Sequence, residues 1–273
     1  MLKEKIDKII EDKSIDVLRK YQLVECEMLF LIDSICRKYN LKYWIDAGTL
    51  LGAIRHGGFI PWDDDCDICM PREDYKKLNE LLKKGILPEY MKFGNRQTKE
   101  WIQKHKTEKH GFTQIYYTGK FKGFDIQVNQ IHIGAFIDIF PVDSVDENIC
   151  DESKYKLINK IIHMERRNKR CMKDYVKHIL QKMPIENIWI KKCNKLEKRG
   201  ESDYLVYGIE TVFMEFKYAQ KKSDVYPLVE VEFEGYKFYA PRNYDNYLKK
   251  LYGDYMKLPD KDKRYGHLIN LEL

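Results

Sequence analysis

The chain has 273 residues, enough for one large domain or two small ones, and 49 basic against 43 acidic side chains leave a net charge of +6, too mild to argue for nucleic acid by itself. Met1–Lys13 alternates charge without an apolar core, and no stretch of about 20 uncharged apolar residues exists, so neither a secretory signal nor a membrane span is expected. Seven cysteines, an odd and scattered set, fit reduced thiols in a cytoplasmic setting.

In chain order, Ser14 or Asp16 caps a predicted helix running to about Tyr39. Val17, Tyr21, Val24, Met28, Leu31, Ile32 and Ile35 recur at helical spacing, and Asn40 fits the stop. Lys42–Asp46 reads as a short strand. Gly48-Thr49 opens a turn or short helix that Gly57-Gly58 closes. Asp64–Met70 reads as an acidic strand, and Pro71-Arg72-Glu73-Asp74 starts a helix ending near Gly85. Residues 92–130 are mixed. The β-rich pieces Gln114–Tyr117 and Asp125–Val128 lie among basic loops holding His105, Lys106, Lys109 and His110, with a hairpin expected around Gly119–Gly123. The apolar run Ala135–Pro141 carries Asp138. Asp151–Leu180 and Ile185–Arg199 look helical, divided by Pro184. Arg166-Arg167-Asn168-Lys169-Arg170 is read as a solvated helix face; the alternative is a dock for an anionic glycan, a nucleotide phosphate or a membrane surface. Glu230–Glu234 and Tyr236–Tyr239 flank Gly235 as a hairpin, and Tyr244–Tyr255 reads as a last amphipathic helix.

The densest chemistry lies between Asp46 and Met70. Four aspartates fall within five residues, Asp63, Asp64, Asp65 and Asp67. Carboxylates this close repel one another and are tolerable around a cation of high charge density. If the segment is extended, side chains alternate, so Asp63, Asp65 and Asp67 share a face while Asp64 and Cys66 take the other. Oxygen donors suit Mg²⁺ or Mn²⁺ rather than zinc. Cys66-x-x-Cys69 has no second pair and is read as core filler. The glycines upstream let backbone N–H groups approach an anion such as phosphate.

Gly48-Thr49-Leu50-Leu51-Gly52, followed by Arg55-His56-Gly57-Gly58-Phe59-Ile60-Pro61-Trp62-Asp63-Asp64-Asp65-Cys66-Asp67-Ile68, resembles the signature of the LicD family. Phe136–Asp143 resembles the family's second acidic strand. Leu251–Pro259 with Lys263–His267 resembles its C-terminal motif, except that Leu268 stands where a common version has a second His. The likeness spans roughly residues 20–270. Bacterial members transfer phosphocholine to cell-surface glycans, and fukutin-related sugar-phosphate transferases share the core.

The resemblance implies one α+β catalytic domain over 1–273. Its nucleotidyltransferase-like mixed sheet core falls at about 20–145 and 200–270, with flanking helices and a helical insertion at about 150–200. It implies a CDP-activated small alcohol as donor, a glycan or glycolipid hydroxyl as acceptor, and CMP as leaving group. Peripheral contact with a membrane stays open. Asp65 and Asp67 are the expected metal ligands, joined by Asp63 and by Asp138 from an adjacent strand. Asp138 either bridges metal or takes the acceptor's proton; the sequence does not separate these roles. Gly48 and Thr49 are expected to hold phosphate, and Arg55 to meet a diphosphate bidentately. His56 reads as a phosphate contact or a structural hydrogen-bonder. Tyr252, Asp254, Arg264 and His267 reach the site only through the resemblance. His132 is read as structural. Two alternatives remain: nucleotidyl transfer from CTP or another NTP, and a glycan-binding protein that kept the fold without turnover.

Overall fold

The computed structural model of the chain describes residues 2–94, 112–119, 121–125, 130–147, 185–208, 211 and 218–273. The basic loops around His105 to His110, the helix expected at 151–180 and its Arg166–Arg170 patch lie outside the described residues.

The fold is α+β. It opens with α1 (Leu2–Glu11), a helix the charge pattern concealed, whose Ile6 is fully buried against α2. α2 (Val17–Lys38) is the long helix the periodicity predicts. The Asp16 carboxylate accepts the Arg19 N–H at 2.9 Å, closing its N-terminus. Past the C-terminus, Asn40 takes φ 52°, the left-handed stop that Asn tolerates. Tyr21, Val24, Met28, Leu29, Ile32 and Cys36 form its core face.

β1 (Trp44–Ile45), α3 (Ala47–His56), β2 (Asp67–Pro71) and α4 (Arg72–Lys83) follow as expected, with Gly57 in the left-handed cap of α3 at φ 70°. β3 (Met91–Gly94), β4 (Thr113–Tyr117), β5 (Lys122–Asp125) and β6 (Gln130–Ile133) lead to β7 (Phe136–Val145), ten residues long and the spine of the main sheet. The path through that sheet runs β1-β2-β7-β4-β3. β2 runs parallel to β7, and β4 pairs antiparallel with the first half of β7. β8 (Tyr204–Tyr207) pairs with its second half and carries β9 (Gln220–Lys221). Ile137 and Ile139 are both fully buried, as strand alternation around Asp138 requires.

α5 (Ile185–Arg199) lays Trp189 and Cys193 against Val145, Val206 and Ala219 in a second small core. The short α6 (Lys222–Val225) leads to the hairpin of β10 (Val229–Phe233) and β11 (Tyr236–Ala240). Its turn residues Glu234 and Gly235 have φ 53° and 78°, the two positive values a tight hairpin turn prefers. α7 (Tyr244–Tyr252) is the last helix. β12 (Leu268–Glu272) pairs with β5 and, through it, with β6. Among the described residues no helix is long and apolar enough to cross a membrane.

Two expectations change. The acidic strand begins at Asp67, not Asp64, because residues before it find partners off the sheet: Asp63 N–H donates to Ile60 O at 2.9 Å and Asp63 O accepts from Gln22 at 2.8 Å. No hairpin forms at Gly119–Gly123. Tyr117 N–H bonds Ala135 O and Gly134 N–H bonds Phe121 O, each at 2.8 Å, which sends β4 and β5 into different sheets. His132, read as structural, sits on β6, in the three-stranded sheet apart from β7.

Candidate active site

Strand register sets the first acidic pair. Asp67 on β2 lies directly opposite Asp138 on β7, and Asp138 N–H donates to Cys66 O at 2.9 Å. Paired side chains on neighbouring strands point the same way, about 5 Å apart. Gln114, opposite Asp138 on β4, donates its amide to Asp138 Oδ1 at 2.9 Å.

The loop before β2 brings the second pair to the N-terminal turn of α3. A Cβ on Gly48 would stand 2.7 Å from Asp63 Oδ2 and 3.7 Å from Asp65 Oδ1. Glycine is required there for space, so that carboxylates can approach backbone. Free N–H groups and the dipole at a helix start favour negative charge. Thr49 is buried, and its hydroxyl accepts the Asp67 N–H at 2.8 Å, which fixes where β2 begins. Asp63 and Asp65 therefore do share a side while Asp64 turns away. Asp64, 2 % exposed, accepts the N–H groups of His267 at 2.9 Å and Leu268 at 2.5 Å. The C-terminal segment, plain polar tail in sequence, is thus tied to the acidic loop. A Cβ on Gly266 would meet Asp64 Oδ2 at 2.5 Å, so this approach also needs glycine.

The electrostatics are those of crowded, desolvated like charges. Burial, then the charges of Asp65 and Asp64, push the Asp63 carboxyl well above its ordinary range. Burial, then Asp65, Asp138, Asp46 and Asp63, do the same to Asp67. Burial raises Asp64 despite its two backbone donors. His267 Nδ1 lies 3.1 Å from Asp65 Oδ2 and 3.8 Å from Asp64 Oδ1. The hydrogen bond to Asp65 leads the causes that raise its imidazole to about 9, so it stands there as a cation.

α2 forms the back wall. Gln22 donates to Ile60 O at 3.2 Å and to Asp63 O at 2.8 Å, pinning the acidic loop. Tyr21 donates to Gly134 O at 3.1 Å. Glu25, one turn on, is fully buried. Its Oε1 meets Phe136 N–H at a long 3.4 Å, and its Oε2 has no hydrogen-bond partner. Burial, then the charges of Asp65 and Asp64, hold its carboxyl well above the ordinary range.

Asp46 anchors the other flank. It precedes α3 without capping it by side chain. Its Oδ1 accepts from Tyr247 at 2.6 Å, and its Oδ2 from Tyr207 at 2.5 Å and from Cys69 Sγ at 3.0 Å. Ala47 behind it adopts φ 43°, a left-handed conformation costing a non-glycine residue roughly 1–2 kcal/mol. That strained turn delivers Gly48 to the carboxylates.

The remaining predicted residues gather at the rim. Arg55, in the last turn of α3, donates to Tyr255 O at 2.7 Å. Burial lowers its pKa, against the pull of nearby Asp63. His56 is exposed, edge-on to Trp62 with ring centres 6.3 Å apart. Burial, then Arg55, lowers its pKa. Arg264 lies 5.3 Å from the centre of the Trp62 ring and donates to Pro259 O at 2.9 Å. Burial of its hydroxyl end, then the charges of Asp46, Asp67, Asp65 and Asp63, raise the Tyr252 phenol well above its usual range, though 45 % of the residue is exposed. Asp254 is exposed.

The carboxylates Asp63, Asp65, Asp67 and Asp138 offer oxygen donors, the kind that suits a hard divalent cation. Among the described residues, no three His, Cys, Asp or Glu side chains are drawn close enough to hold an ion as they stand. They are neighbours that a cation would have to pull together. Sequence reasoning missed Glu25, Tyr207 and Tyr247, and gave Asp46 no role.

The fold is thus of the α+β class, a mixed sheet with an acidic pair on neighbouring parallel strands and a Gly-Thr helix start beside it. Residues 40–194 match the family model described as "LicD/FKTN/FKRP, nucleotidyltransferase domain", and the chain belongs to that family. The lipopolysaccharide cholinephosphotransferase LicD of Haemophilus influenzae is 30 % identical over 92 % of this chain and 96 % of its own length. The ribitol 5-phosphate transferase FKRP of Homo sapiens is 46 % identical over 15 % of this chain and 8 % of its own length. A solved GTP pyrophosphokinase family protein from Streptococcus pneumoniae overlaps 63 % of this chain and 84 % of its own at 14 % identity, with a TM-score of 0.22, too low to bear on the fold.

Proposed function

We propose that the protein transfers a phospho-alcohol, phosphocholine or a similar head group, from a CDP-activated donor to a hydroxyl of a cell-surface glycan. The observation that carries this reading is the register of Asp67 against Asp138, with Asp63 and Asp65 gathered at Gly48. Two relatives bear names for transfer of choline phosphate and ribitol 5-phosphate, and an alcohol phosphate is what those names share.

In the proposed step the acceptor oxygen bonds to the phosphorus bearing the small alcohol, the bond to CMP breaks, and the acceptor hydroxyl loses its proton. Mg²⁺ or Mn²⁺ held by Asp63, Asp65, Asp67 and Asp138 would neutralise phosphate charge and stabilise the leaving group. Asp138, steadied by Gln114, would either share in that binding or take the proton. The first turn of α3, with Gly48, offers N–H groups to a phosphate oxygen. Arg55 adds a planar cation near Asp63 at the rim, where charge builds on the departing CMP. Thr49 serves this site by fixing β2. Met256, Leu258 and Tyr265, in the segment between Tyr252 and His267, are exposed and would be available to a glycolipid acceptor or a membrane surface.

The test is to incubate the protein with CDP-choline, other CDP-alcohols and CTP, with and without EDTA, and to identify what is released. Cation-dependent CMP from a CDP-alcohol is expected. Pyrophosphate from CTP, with no CMP from any CDP-alcohol, would point to nucleotidyl transfer. Full turnover in excess EDTA would remove the cation from the mechanism.

A further inference from the structure

Each of several buried acids in this protein has a partner except at one oxygen. Asp33 is held by Arg37 and Tyr43, Glu27 by Lys5 and Tyr236, and Asp143 by Arg72 and Trp189. Among the described residues, the buried side-chain atoms without a hydrogen-bond partner are Glu25 Oε2 and the distant Gln220 Nε2. Glu25 sits on the face of α2 whose Gln22 clamps the backbone of Asp63. Its Oε1 approaches the Phe136 N–H at the start of β7, two residues before Asp138, and the charges of Asp65, Asp64 and Asp63 act on its carboxyl.

From this geometry we propose that Glu25 is a fifth carboxylate of the cation site, its free Oε2 helping to hold a divalent ion bound at Asp65, directly or through a water. This rests on the metal-dependent reading above. A helix-borne carboxylate buried behind an acidic loop is costly as a core residue, since a neutral side chain of the same shape would avoid the repulsion. A cation removes that conflict, because it supplies both the missing partner and the missing charge. The clamp at Gln22 would give the ion a rigid wall, where the loop alone would let Asp63 and Asp65 spread. The inward position is set by the fold: Glu25 lies four residues after Tyr21 and three before Met28, both fully buried.

The test uses the full-length protein freed of metal by chelation, with Mn²⁺ binding followed by calorimetry and melting temperature recorded with and without Mn²⁺. Wild type should bind saturably and melt higher with Mn²⁺. Glu25→Gln should bind about 10–100-fold more weakly, the range for lost supporting ligands, while melting no lower than wild type without metal. If Glu25→Gln does not fold, Glu25→Asp keeps the charge and shortens the reach, and weakened binding by that folded variant is the expected result. Mn²⁺ binding by the folded variant as tight as wild type would overturn the role of Glu25 and leave the proposed function standing. Absence of saturable Mn²⁺ binding by wild type would overturn both the role of Glu25 and the cation dependence on which it rests.

Discussion

The two ends of β7 bury acid in opposite ways. Asp143, toward the C-terminal end, has no exposed side-chain surface, and Arg72 meets it through Nε and Nη2, each at 2.7 Å. Trp189 adds a third donor at 2.9 Å. Asp138, five residues earlier on the same strand, faces Asp67 across the parallel register, and its charge belongs to the crowd that lifts Asp67. One sheet therefore shows that this chain can compensate a buried carboxylate fully. At the other end His267 meets Asp65, but Asp63 and Asp67 stay raised and Glu25 keeps a bare oxygen. Repulsion left standing beside a working example of its cure agrees with the proposal that these carboxylates await a cation, since charge held for a ligand destabilises the empty protein.

The largest effect should separate the two ends by sign. Asp67→Asn removes charge with little change in volume. Turnover should fall at least 10²–10³-fold, the scale of losing one electrostatic group at a reacting centre. In chelator, stability by urea unfolding should stay level or rise, because repulsion with Asp65 and Asp138 is relieved. A clear loss of stability without metal would show that Asp67 is a structural acid like Asp143.

At the compensated end, Arg72→Ala should cost about 3–5 kcal/mol, as expected when one partner of a buried pair is removed and the other stays charged. On the proposed function, its turnover per folded molecule should remain near wild type. A shift under about 1 kcal/mol would mean that Trp189 and relaxation suffice for Asp143, and the contrast between the two ends would shrink.

Gly48→Ala tests how tightly the acidic end is built. The added methyl must displace Asp63, at a cost of about 1–3 kcal/mol for overpacking. Turnover should drop more than stability does, because the carboxylate that moves belongs to the site. A fully active variant would show that Asp63 can turn aside freely.

The uncompensated end was the more legible in sequence. Its acids crowd into one local motif, and alternation placed Asp63 with Asp65 even though the regular strand starts only at Asp67. Asp138 was found because apolar Ile137 and Ile139 flank a lone acid. What stayed hidden depends on tertiary contacts. Glu25 reads as a break in an apolar stripe, although its spacing from Tyr21 and Met28 puts it on the buried face. Tyr207 and Tyr247 reach Asp46 across more than 160 residues of chain. His267, offered in sequence only through the family likeness, is held by Asp64 just before β12, whose pairing with β5 is a long-range register no local pattern encodes. Arg72 and Asp143 look in sequence like a helix-start charge and a strand-end turn.

The smallest effect belongs to a compensated acid at the edge of the site, and its pH dependence fixes its sign. Glu234, at the tip of the β10–β11 hairpin, bonds both ends of the Arg19 guanidinium, at 2.8 and 2.5 Å, and accepts the Phe59 N–H at 2.9 Å. It thereby ties the loop leading to the acidic motif to α2. Burial alone would raise its carboxyl, but Arg19 and the Phe59 amide outweigh burial and hold it below the ordinary range. A lowered folded-state pKa stabilises the protein above the unfolded pKa, about 4.3 for Glu, and that contribution is lost as pH falls through the folded value. Arg19 keeps 37 % of its side chain exposed, so solvent limits the pair to about 1 kcal/mol or less. Glu234→Gln should therefore trail wild type by that amount at pH 7, with the gap in unfolding free energy closing as pH drops below about 4. At the acidic end the sign is reversed, because protonating Asp63 and Asp67 relieves repulsion. A gap that widened on acidification would show that Glu234 is held as a proton-bearing acid like those at the site, and the division of this protein's carboxylates into compensated and uncompensated would fail at its boundary.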